Sequence, residues 1–363
     1  MWMKRRIPAL LLALLATQAA SLVSPAYACG CGAMIPDGGS RLGVERETSV
    51  VRWDGRTEQI VMRFTVGGDA RRAAWIMPVP TRATVDLADA GVFTELSRLT
   101  APERRTRHYF LPRSGDWPFD FVDGATAGAM PGAGAPPVGV VGRERLGDFD
   151  VARLTAGDPA ALRGWLEANG FSLPDTLTTE VKPYVDQGWE YVAVRLAPRD
   201  EGKPLRGDLD PLRIRFDSDR LVYPMRLSRM ARTPQSLGLY VLADHRMEPA
   251  SAIGGAEPEV TFAGRISPRQ PLASLTDGKE AFLTAIEQRF PQPARIDGDH
   301  ELRATAADTP YRQVVYRDRL LKVGGVPAWL PALGATLAAT AAAAATRLRR
   351  RNARTAPPAQ GPA

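Results

Sequence analysis

Strand-like apolar patterns mark three runs near the start of the chain, residues 48–53, 57–66 and 73–77. In the second run Ile60, Met62 and Phe64 alternate with other residues and share one face. Such alternation is typical of strands with one buried face. An Asp-Gly pair, common in hairpin turns, separates the first two runs, and Pro78 follows the third. The pattern predicts a three-stranded antiparallel meander over residues 48–77.

Alternation also predicts later strands at residues 149–154, 189–197, 212–216, 221–227, 237–242, 259–266 and 311–316. Apolar residues at helical spacing predict helices over residues 89–99, 158–170 and 279–290. The segment 174–184 fits neither pattern. We therefore predict an α+β fold, mainly antiparallel sheet with a few packed helices.

The N-terminus has the pattern of an export signal. Three basic residues precede an apolar run over residues 7–16, and Ala-Tyr-Ala at 26–28 is a cleavage site. We expect a signal peptide over residues 1–28, with Cys29 beginning the mature chain. A retained anchor is the alternative, and lipidation of Cys29 is another, although a lipobox has Leu where Ala26 stands.

The C-terminus has the pattern of a membrane anchor. Residues 326–346 carry no charge, and five arginines follow within residues 347–354. Twenty-one helical residues span about 31 Å, enough for a hydrocarbon core of roughly 30 Å. We predict a single transmembrane helix at the cell membrane, an extracytoplasmic body and a basic cytoplasmic tail, residues 347–363. A soluble alanine-rich helix or a disordered tail is the alternative.

The net charge of +7 comes from these two ends. They hold eight of the 47 basic residues and none of the 40 acidic ones, so the rest of the chain has 39 basic and 40 acidic residues. This near balance argues against nucleic acid as a partner.

A stretch rich in Gly, Ala and Pro at residues 124–139 divides the exported part. This composition is typical of a linker or a mobile loop. We expect two lobes, over residues 29–123 and 140–325.

The two cysteines of the chain, Cys29 and Cys31, are separated by one glycine. In an oxidising compartment we expect a disulfide between them. Metal binding by the thiolates and the terminal amine, and anchoring through a lipid or an intermolecular bridge, stay open as alternatives. Catalytic redox chemistry favours a wider Cys-x-x-Cys spacing.

A basic cluster that includes Arg104, Arg105 and His108 follows the first predicted helix. It is either a site for phosphate or an acidic polymer, or a solvated helix exit, which we favour. Trp117, in a loop before the Gly-rich stretch, is a candidate partner contact, with core packing as the alternative.

No metal, cofactor or catalytic motif is evident. The three histidines lie far apart in sequence, and the acidic stretch 297–301 fits a turn better than a calcium loop. We expect no cofactor and no metal.

Several segments in a fixed order resemble a bacterial family, domain-of-unknown-function family 2330. They are residues 28–32 (Ala-Cys-Gly-Cys-Gly), 73–80, 89–96, 149–151, 158–170, 182–189 and 223–227. The resemblance implies an exported envelope protein, often with a C-terminal membrane helix. It implies no activity and no catalytic residue.

We therefore expect a non-enzymatic envelope module that binds an envelope protein or a surface polymer. The alternative is an extracytoplasmic hydrolase or a thiol-dependent enzyme that uses Cys29 and Cys31.

Overall fold

The structure is a computed structural model that describes residues 31–113, 116, 145–146, 149–154, 159–171, 175–196, 203–254 and 257–355. The chain forms two compact units. Unit 1 contains Met1–Pro102 and Val138–Gln313, and unit 2 contains Glu103–Pro137 and Val314–Ala363. The predicted signal peptide, the linker, Cys29 and Trp117 lie outside the described residues.

The first ten strands are β1 (Ala33–Pro36), β2 (Leu42–Trp53), β3 (Thr57–Gly68), β4 (Ala73–Val79), β5 (Thr84–Leu87), β6 (Glu103–Tyr109), β7 (Arg145–Leu146), β8 (Phe149–Leu154), β9 (Glu190–Leu196) and β10 (Gly207–Asp208). The next eleven are β11 (Leu212–Asp217), β12 (Leu221–Tyr223), β13 (Gln235–Ala243), β14 (Met247–Pro249), β15 (Glu259–Ile266), β16 (Ala281–Phe290), β17 (His300–Ala304), β18 (Tyr311–Arg312), β19 (Val314–Leu320), β20 (Lys322–Val323) and β21 (Val326–Pro327).

The α-helices are α1 (Gly91–Leu99), α2 (Pro159–Ala168), α3 (Asp175–Asp186), α4 (Ala273–Thr276) and α5 (Trp329–Thr355). In the described ranges, short 3₁₀ helices cover Arg226–Met230 and Pro293–Arg295. The predicted α+β class is therefore confirmed, and most strand pairs are antiparallel.

Unit 1 is built on two large sheets. One has the strand order β1-β4-β9-β8-β7, and the other has the order β18-β15-β16-β13-β2-β3-β11-β5, with β10 also pairing β3. A small third sheet contains β12, β17 and β14. The pair of β13 with β2 is parallel, whereas the other pairs in the two large sheets are antiparallel.

The main hydrophobic core lies between the two large sheets. Trp75 and Met77 from one sheet share this cluster with Ile60, Met62 and Phe64 from the other. The outer face of the smaller sheet packs against α2 and α3, and the outer face of the larger sheet packs against α1 and α4. Unit 1 is thus a two-sheet core covered by helices on both sides.

The β2–β3 hairpin shows why local sequence predicted it well. The Asp54 carboxylate accepts hydrogen bonds from the backbone N–H groups of Arg56 and Thr57, at 3.1 and 2.8 Å. Gly55 takes a φ of 93°, in the left-handed region that favours glycine. The turn residues therefore fix the register of two strands that are twelve residues long.

The predicted meander over residues 48–77 is wrong in its third strand. β3 pairs with β2, β10 and β11, while β4 belongs to the other large sheet, between β1 and β9. β4 also continues through Pro78 to Val79. The reason is that the chain crosses to the facing sheet after Gly68, so proximity in sequence does not become strand pairing.

The helix predicted over residues 279–290 is wrong. This segment is the strand β16, paired with β13 on one side and β15 on the other. Phe282 and Leu283 are adjacent in sequence, yet both are buried, because helices cover one sheet face and the core covers the other. A strand buried on both faces loses the alternation that identifies it, and the residual apolar spacing imitates a helix.

Three further segments differ from the predictions. The basic cluster after α1 is solvated, as expected, but it forms the strand β6 and not the exit of a helix. The strand predicted over residues 221–227 ends at Tyr223 and is followed by a 3₁₀ helix. The ambiguous segment forms α3, which contains Pro183.

Unit 2 contains a parallel two-stranded ribbon, β6 with β19, and the helix α5. A tight hairpin, β20–β21, links them, and its two-residue turn is Gly324-Gly325, both with positive φ. α5 is the one helix among the described residues that is long and apolar enough to cross a membrane, over Trp329–Arg351. It starts three residues later than the predicted span and continues through the arginine cluster.

Candidate functional site

A polar cluster lies inside the core of unit 1, around Cys31. Cys31 lies two residues before the start of β1. Glu47 and Ser49 lie two residues apart on β2 and therefore share one face of that strand. Tyr223 comes from β12. Three separate segments thus bring a thiol, a carboxyl and two hydroxyls together.

Hydrogen bonds connect these groups. The Tyr223 hydroxyl donates to Oε1 of Glu47, and the hydroxyl oxygens of Ser49 and Tyr223 are 2.6 Å apart. The Cys31 thiol donates to the Met62 sulfur at 3.5 Å, and Cys31 contributes to the pKa shifts of both Glu47 and Tyr223. The cluster is therefore a connected network.

The cluster is closed to solvent. Cys31 and Tyr223 have no exposed surface, and Glu47 is 1% exposed. Burial raises the pKa of Glu47 to about 7, against the lowering effect of its hydrogen bonds, because a charged carboxylate loses its hydration there. Burial likewise raises the pKa of Tyr223 well above its usual value.

In an open site, a carboxyl with a pKa near neutrality beside a thiol could act as its general base. Here a methyl group on Gly32 would overlap the carbonyl oxygen of Ile76 and lie 2.9 Å from the Trp75 indole nitrogen. The segment that carries Cys31 is therefore packed closely against β4, and the four polar side chains of the cluster are buried. The cluster joins this segment to the core of unit 1.

The second candidate is the ribbon of unit 2, which has two different faces. In a parallel pair, opposed residues project to the same side. The pairs Arg104–Val315, Thr106–Arg317 and His108–Arg319 form one face. We call Arg104, His108, Arg317 and Arg319 the basic face. No carboxylate within the described part of the chain forms an ion pair with any of them.

The arginines of the opposite face are held in ion pairs, and we call it the paired face. Arg105 binds Glu103 at 2.8 Å, and Arg107 binds Asp318 at 2.8 Å. Arg113, beyond the end of β6, also reaches Asp318 at 2.8 Å. Hydrogen bonds from Arg107 and Arg113 lower the pKa of Asp318 to about 2.

A solvent-open depression of about 560 Å³ lies at the end of the ribbon where the strands β6 and β19 finish. It is lined by His108, Tyr109, Asp116, Arg317, Asp318, Arg319, Leu320 and Lys322. Its two carboxylates already accept hydrogen bonds, Asp318 from the arginines above and Asp116 from Tyr109. The other charged side chains that line the depression, Arg317, Arg319 and Lys322, are positive. The depression therefore suits an anionic ligand.

The structure places the predicted site residues in two different units. Cys31 is enclosed in unit 1, whereas Arg104, Arg105 and His108 are exposed on the ribbon of unit 2. The ribbon divides this predicted group, since Arg105 faces Glu103 on the paired face. Sequence reasoning missed Arg317 and Arg319, although their alternation with Tyr316 and Asp318 was a readable strand signal.

Within the described ranges, no group of three or more His, Cys, Asp or Glu side chains could hold a metal ion. His300 is buried beside Tyr223 in the small sheet, and burial lowers its pKa to about 4. Asp299 accepts hydrogen bonds from the Tyr184 hydroxyl and from the N–H groups of Met225 and Arg226. The predicted turn at 297–301 thus has a structural role.

Comparison with known families gives one match that spans most of the chain. Residues 25–303 match DUF2330, described as an uncharacterised protein conserved in bacteria. The chain belongs to this family. The DUF2330 region includes Cys31, Glu47, Tyr223 and β6, and it ends before β18. The resemblance seen in the sequence is therefore confirmed.

Other comparisons add little. No curated protein matches the chain. Among solved structures, the crystal structure of baculovirus P35 aligns with 76% of this chain and 98% of its own, at 8% identity and a TM-score of 0.32. A likeness this low carries no inference about fold or function.

Proposed function

We propose that this DUF2330 member is a membrane-anchored extracytoplasmic protein that binds an anionic partner in the bacterial envelope. It acts as a binding module rather than as an enzyme. The observation that carries the proposal is the basic face, because it presents unpaired cations beside a paired face on the same ribbon. The partner is an acidic surface polymer or an acidic patch of an envelope protein.

The anchor is the first part of the proposal. α5 is exposed along its apolar length, with Leu333 and Leu337 facing outward, and 23 helical residues span about 34 Å. The arginines after residue 346 favour a cytoplasmic C-terminus, and the expected signal peptide favours an exported body.

A direct test of the anchor uses the full chain and a version that ends at Ala328. We expect the full chain to resist extraction from membranes by alkaline carbonate and the shorter chain to be released. Protease added to spheroplasts should cut the body and spare the C-terminus. Release of the full chain, or protection of its body, would contradict the proposed topology.

The binding surface is the second part of the proposal. Exposed cations attract a polyanion through a field that salt screens over about 10 Å at 0.1 M ionic strength. The arginines of the paired face already form ion pairs with nearby carboxylates. We therefore expect the two faces of the ribbon to differ in polyanion binding although both are rich in arginine.

Two matched triple variants test this difference. One replaces Arg104, Arg317 and Arg319 by Ser, and the other replaces Arg105, Arg107 and Arg113 by Ser. Both lower the net charge equally. With the full chain in detergent and polyphosphate or polyglutamate as the probe, we expect the first variant to bind about tenfold more weakly, since three exposed contacts are each worth a few tenths of a kcal/mol or more.

The second variant should retain most of the binding, and neutral dextran should not bind either protein. Equal losses in the two variants would mean that net charge, and not the basic face, carries the interaction. Capture of envelope components on the tethered full chain, followed by mass spectrometry, then identifies the natural partner.

A further inference from the structure

The ribbon has an apolar end close to the start of α5. β6 ends at Tyr109, and the next two residues, Phe110 and Leu111, are exposed, Leu111 by 71%. The chain then turns back, since Arg113 stacks on the Tyr109 ring at 4.1 Å and pairs with Asp318. Phe110 and Leu111 therefore form the tip of the ribbon.

The other strand contributes more apolar surface at the same end. Leu321 donates a backbone hydrogen bond to the Tyr109 carbonyl at 2.9 Å, which places it beside the tip. Val323 and Val326 flank the Gly-Gly turn of the β20–β21 hairpin and are exposed by 64% and 48%. We call Phe110, Leu111, Leu321, Val323 and Val326 the collar.

The collar is tied directly to the first turn of the helix. The N–H of Ala328 donates to the Leu321 carbonyl at 2.8 Å, and α5 begins at the next residue, Trp329. Exposed apolar side chains are thus concentrated where the candidate membrane span begins. Isolated exposed apolar residues need no explanation, but a group of five at one end of one unit does.

The charges near the collar match a lipid surface. Lys322 lies between two collar residues, and Arg319 ends the basic face next to them. Long basic side chains extend from an apolar surface towards headgroup phosphates, and aromatic and basic residues are common at this depth. The headgroup region adds roughly 5–8 Å on each side of the hydrocarbon core, a distance that these side chains can cover.

We infer that the collar is inserted in the interface of the same membrane that α5 spans, with bilayer lipid as its occupant. This inference rests on the proposed membrane anchor. The collar then fixes the ribbon to the bilayer surface at a second point, so the ribbon does not pivot freely on the helix. The end of the basic face next to the collar is held near the headgroups as a result, while the middle of the ribbon stays in water.

The test measures the depth of single labels in the full chain, reconstituted in vesicles of phosphatidylethanolamine and phosphatidylglycerol. An environment-sensitive fluorophore is placed on L111C, T106C or L337C, each in a Cys29→Ser background in which Cys31 is buried. Lipid-attached quenchers report contact with the bilayer, and iodide reports contact with water.

We expect the label at position 111 to be quenched strongly by lipid-attached quenchers and several-fold less by iodide than the label at 106. Position 106 lies in the middle of the ribbon and serves as the matched exposed control. Position 337 reports on the anchor. Iodide quenching at 111 equal to that at 106, with 337 in lipid, would overturn the collar inference and leave the anchor standing.

Two other outcomes also overturn the inference. If position 337 is accessible to iodide, the anchor and the collar inference both fail. If position 111 is protected only at high protein density and becomes accessible on dilution with lipid, a second copy of the chain covers the collar instead of lipid.

Discussion

The Cys31 cluster and the ribbon show opposite ways of using polar residues. The cluster buries a thiol, a carboxyl and two hydroxyls in a connected network with no exposed surface. The ribbon exposes almost every side chain of β6 and neutralises only one of its faces. Cys31, from the Cys-Gly-Cys motif of the sequence, is thus built into the core, whereas the proposed binding surface lies in a basic segment that is exposed.

This difference has a physical basis. Buried polar groups must satisfy one another, so their cost and benefit appear mainly in the free energy of unfolding. Exposed charges contribute little to that energy and remain available to a partner. Stability measurements should therefore respond strongly to changes near Cys31 and barely to changes on the basic face.

The largest loss of stability is expected for a change at Trp75. This side chain is fully buried and meets the Phe64 ring edge-on at a centroid distance of 5.4 Å. Trp75→Ala should lower the free energy of unfolding by about 4 kcal/mol, since it removes a large core side chain and leaves a cavity. Urea unfolding of the full chain in detergent measures this free energy.

Trp75→Phe is the control variant and should lower the free energy of unfolding clearly less, because a ring still fills the site. A loss below about 1 kcal/mol for the alanine variant would contradict the packing described here.

The next largest effect is the change in the free energy of unfolding with pH that Glu47 causes. Its pKa is about 7 in the folded protein and near 4.5 when exposed, so the folded state holds this proton more tightly. The stabilising contribution is complete below pH 4.5 and is lost as the pH rises through 7, by about 3 kcal/mol in total. Glu47→Gln, which imitates the protonated carboxyl, should remove most of this loss.

The measurement is the free energy of unfolding at pH 5 and pH 8, compared between the wild type and Glu47→Gln. The wild type should lose more stability than the variant over this interval. Glu257→Gln is the control, since Glu257 is exposed and its replacement should leave the slope unchanged. A wild-type slope unchanged by Glu47→Gln would show that this carboxyl titrates as an exposed one.

A third variant tests the close approach at Gly32. Gly32→Ala would press a methyl group against the Ile76 carbonyl and to within 2.9 Å of the Trp75 indole nitrogen. We expect a loss of about 2 kcal/mol, in the range for overpacked cores. Gly164→Ala is the matched control: open space surrounds Gly164 inside α2, so alanine should stabilise that helix by up to about 1 kcal/mol. A neutral Gly32→Ala variant would mean that the chain around Cys31 is loosely held.

The smallest effect on stability is expected on the ribbon. Replacing Arg104 and Arg317 by Ser should change the free energy of unfolding by less than about 0.5 kcal/mol, because neither arginine has a carboxylate partner among the described residues. The same unfolding assay measures it. A loss of several kcal/mol would place these side chains in the fold and weaken their assignment to binding.

The sequence predicted individual strands and helices better than it predicted which strands pair with each other. The β2–β3 hairpin and α1 were readable because Asp54, Gly55 and Asp89 make local contacts that set the turn and the helix start. β4 was assigned as a strand but to the wrong sheet, and β16 was taken for a helix. Both errors arise where long-range packing outweighs local pattern.

The candidate site shows the same limit. Cys31 stood out as a motif, but nothing in the local sequence indicates that Glu47 and Tyr223 meet it, since they come from distant strands. The alternation in β19 predicts that Arg317 and Arg319 share one face, yet their neighbours Thr106 and His108 lie more than 200 residues earlier. Charge on each strand was visible, whereas the pairing that gathers it was not.

The parallel pairing of β6 with β19 also sets an order of events. Arg107 and Asp318 are separated by 211 positions in the sequence, so the ribbon closes one of the longest loops in the chain. A chain that stops before Val314 contains β6 but no partner strand, and its folding leaves half of the basic face missing. The proposed binding surface is therefore completed last, after the strands of unit 1 have been synthesised, and a truncated or stalled product cannot display it.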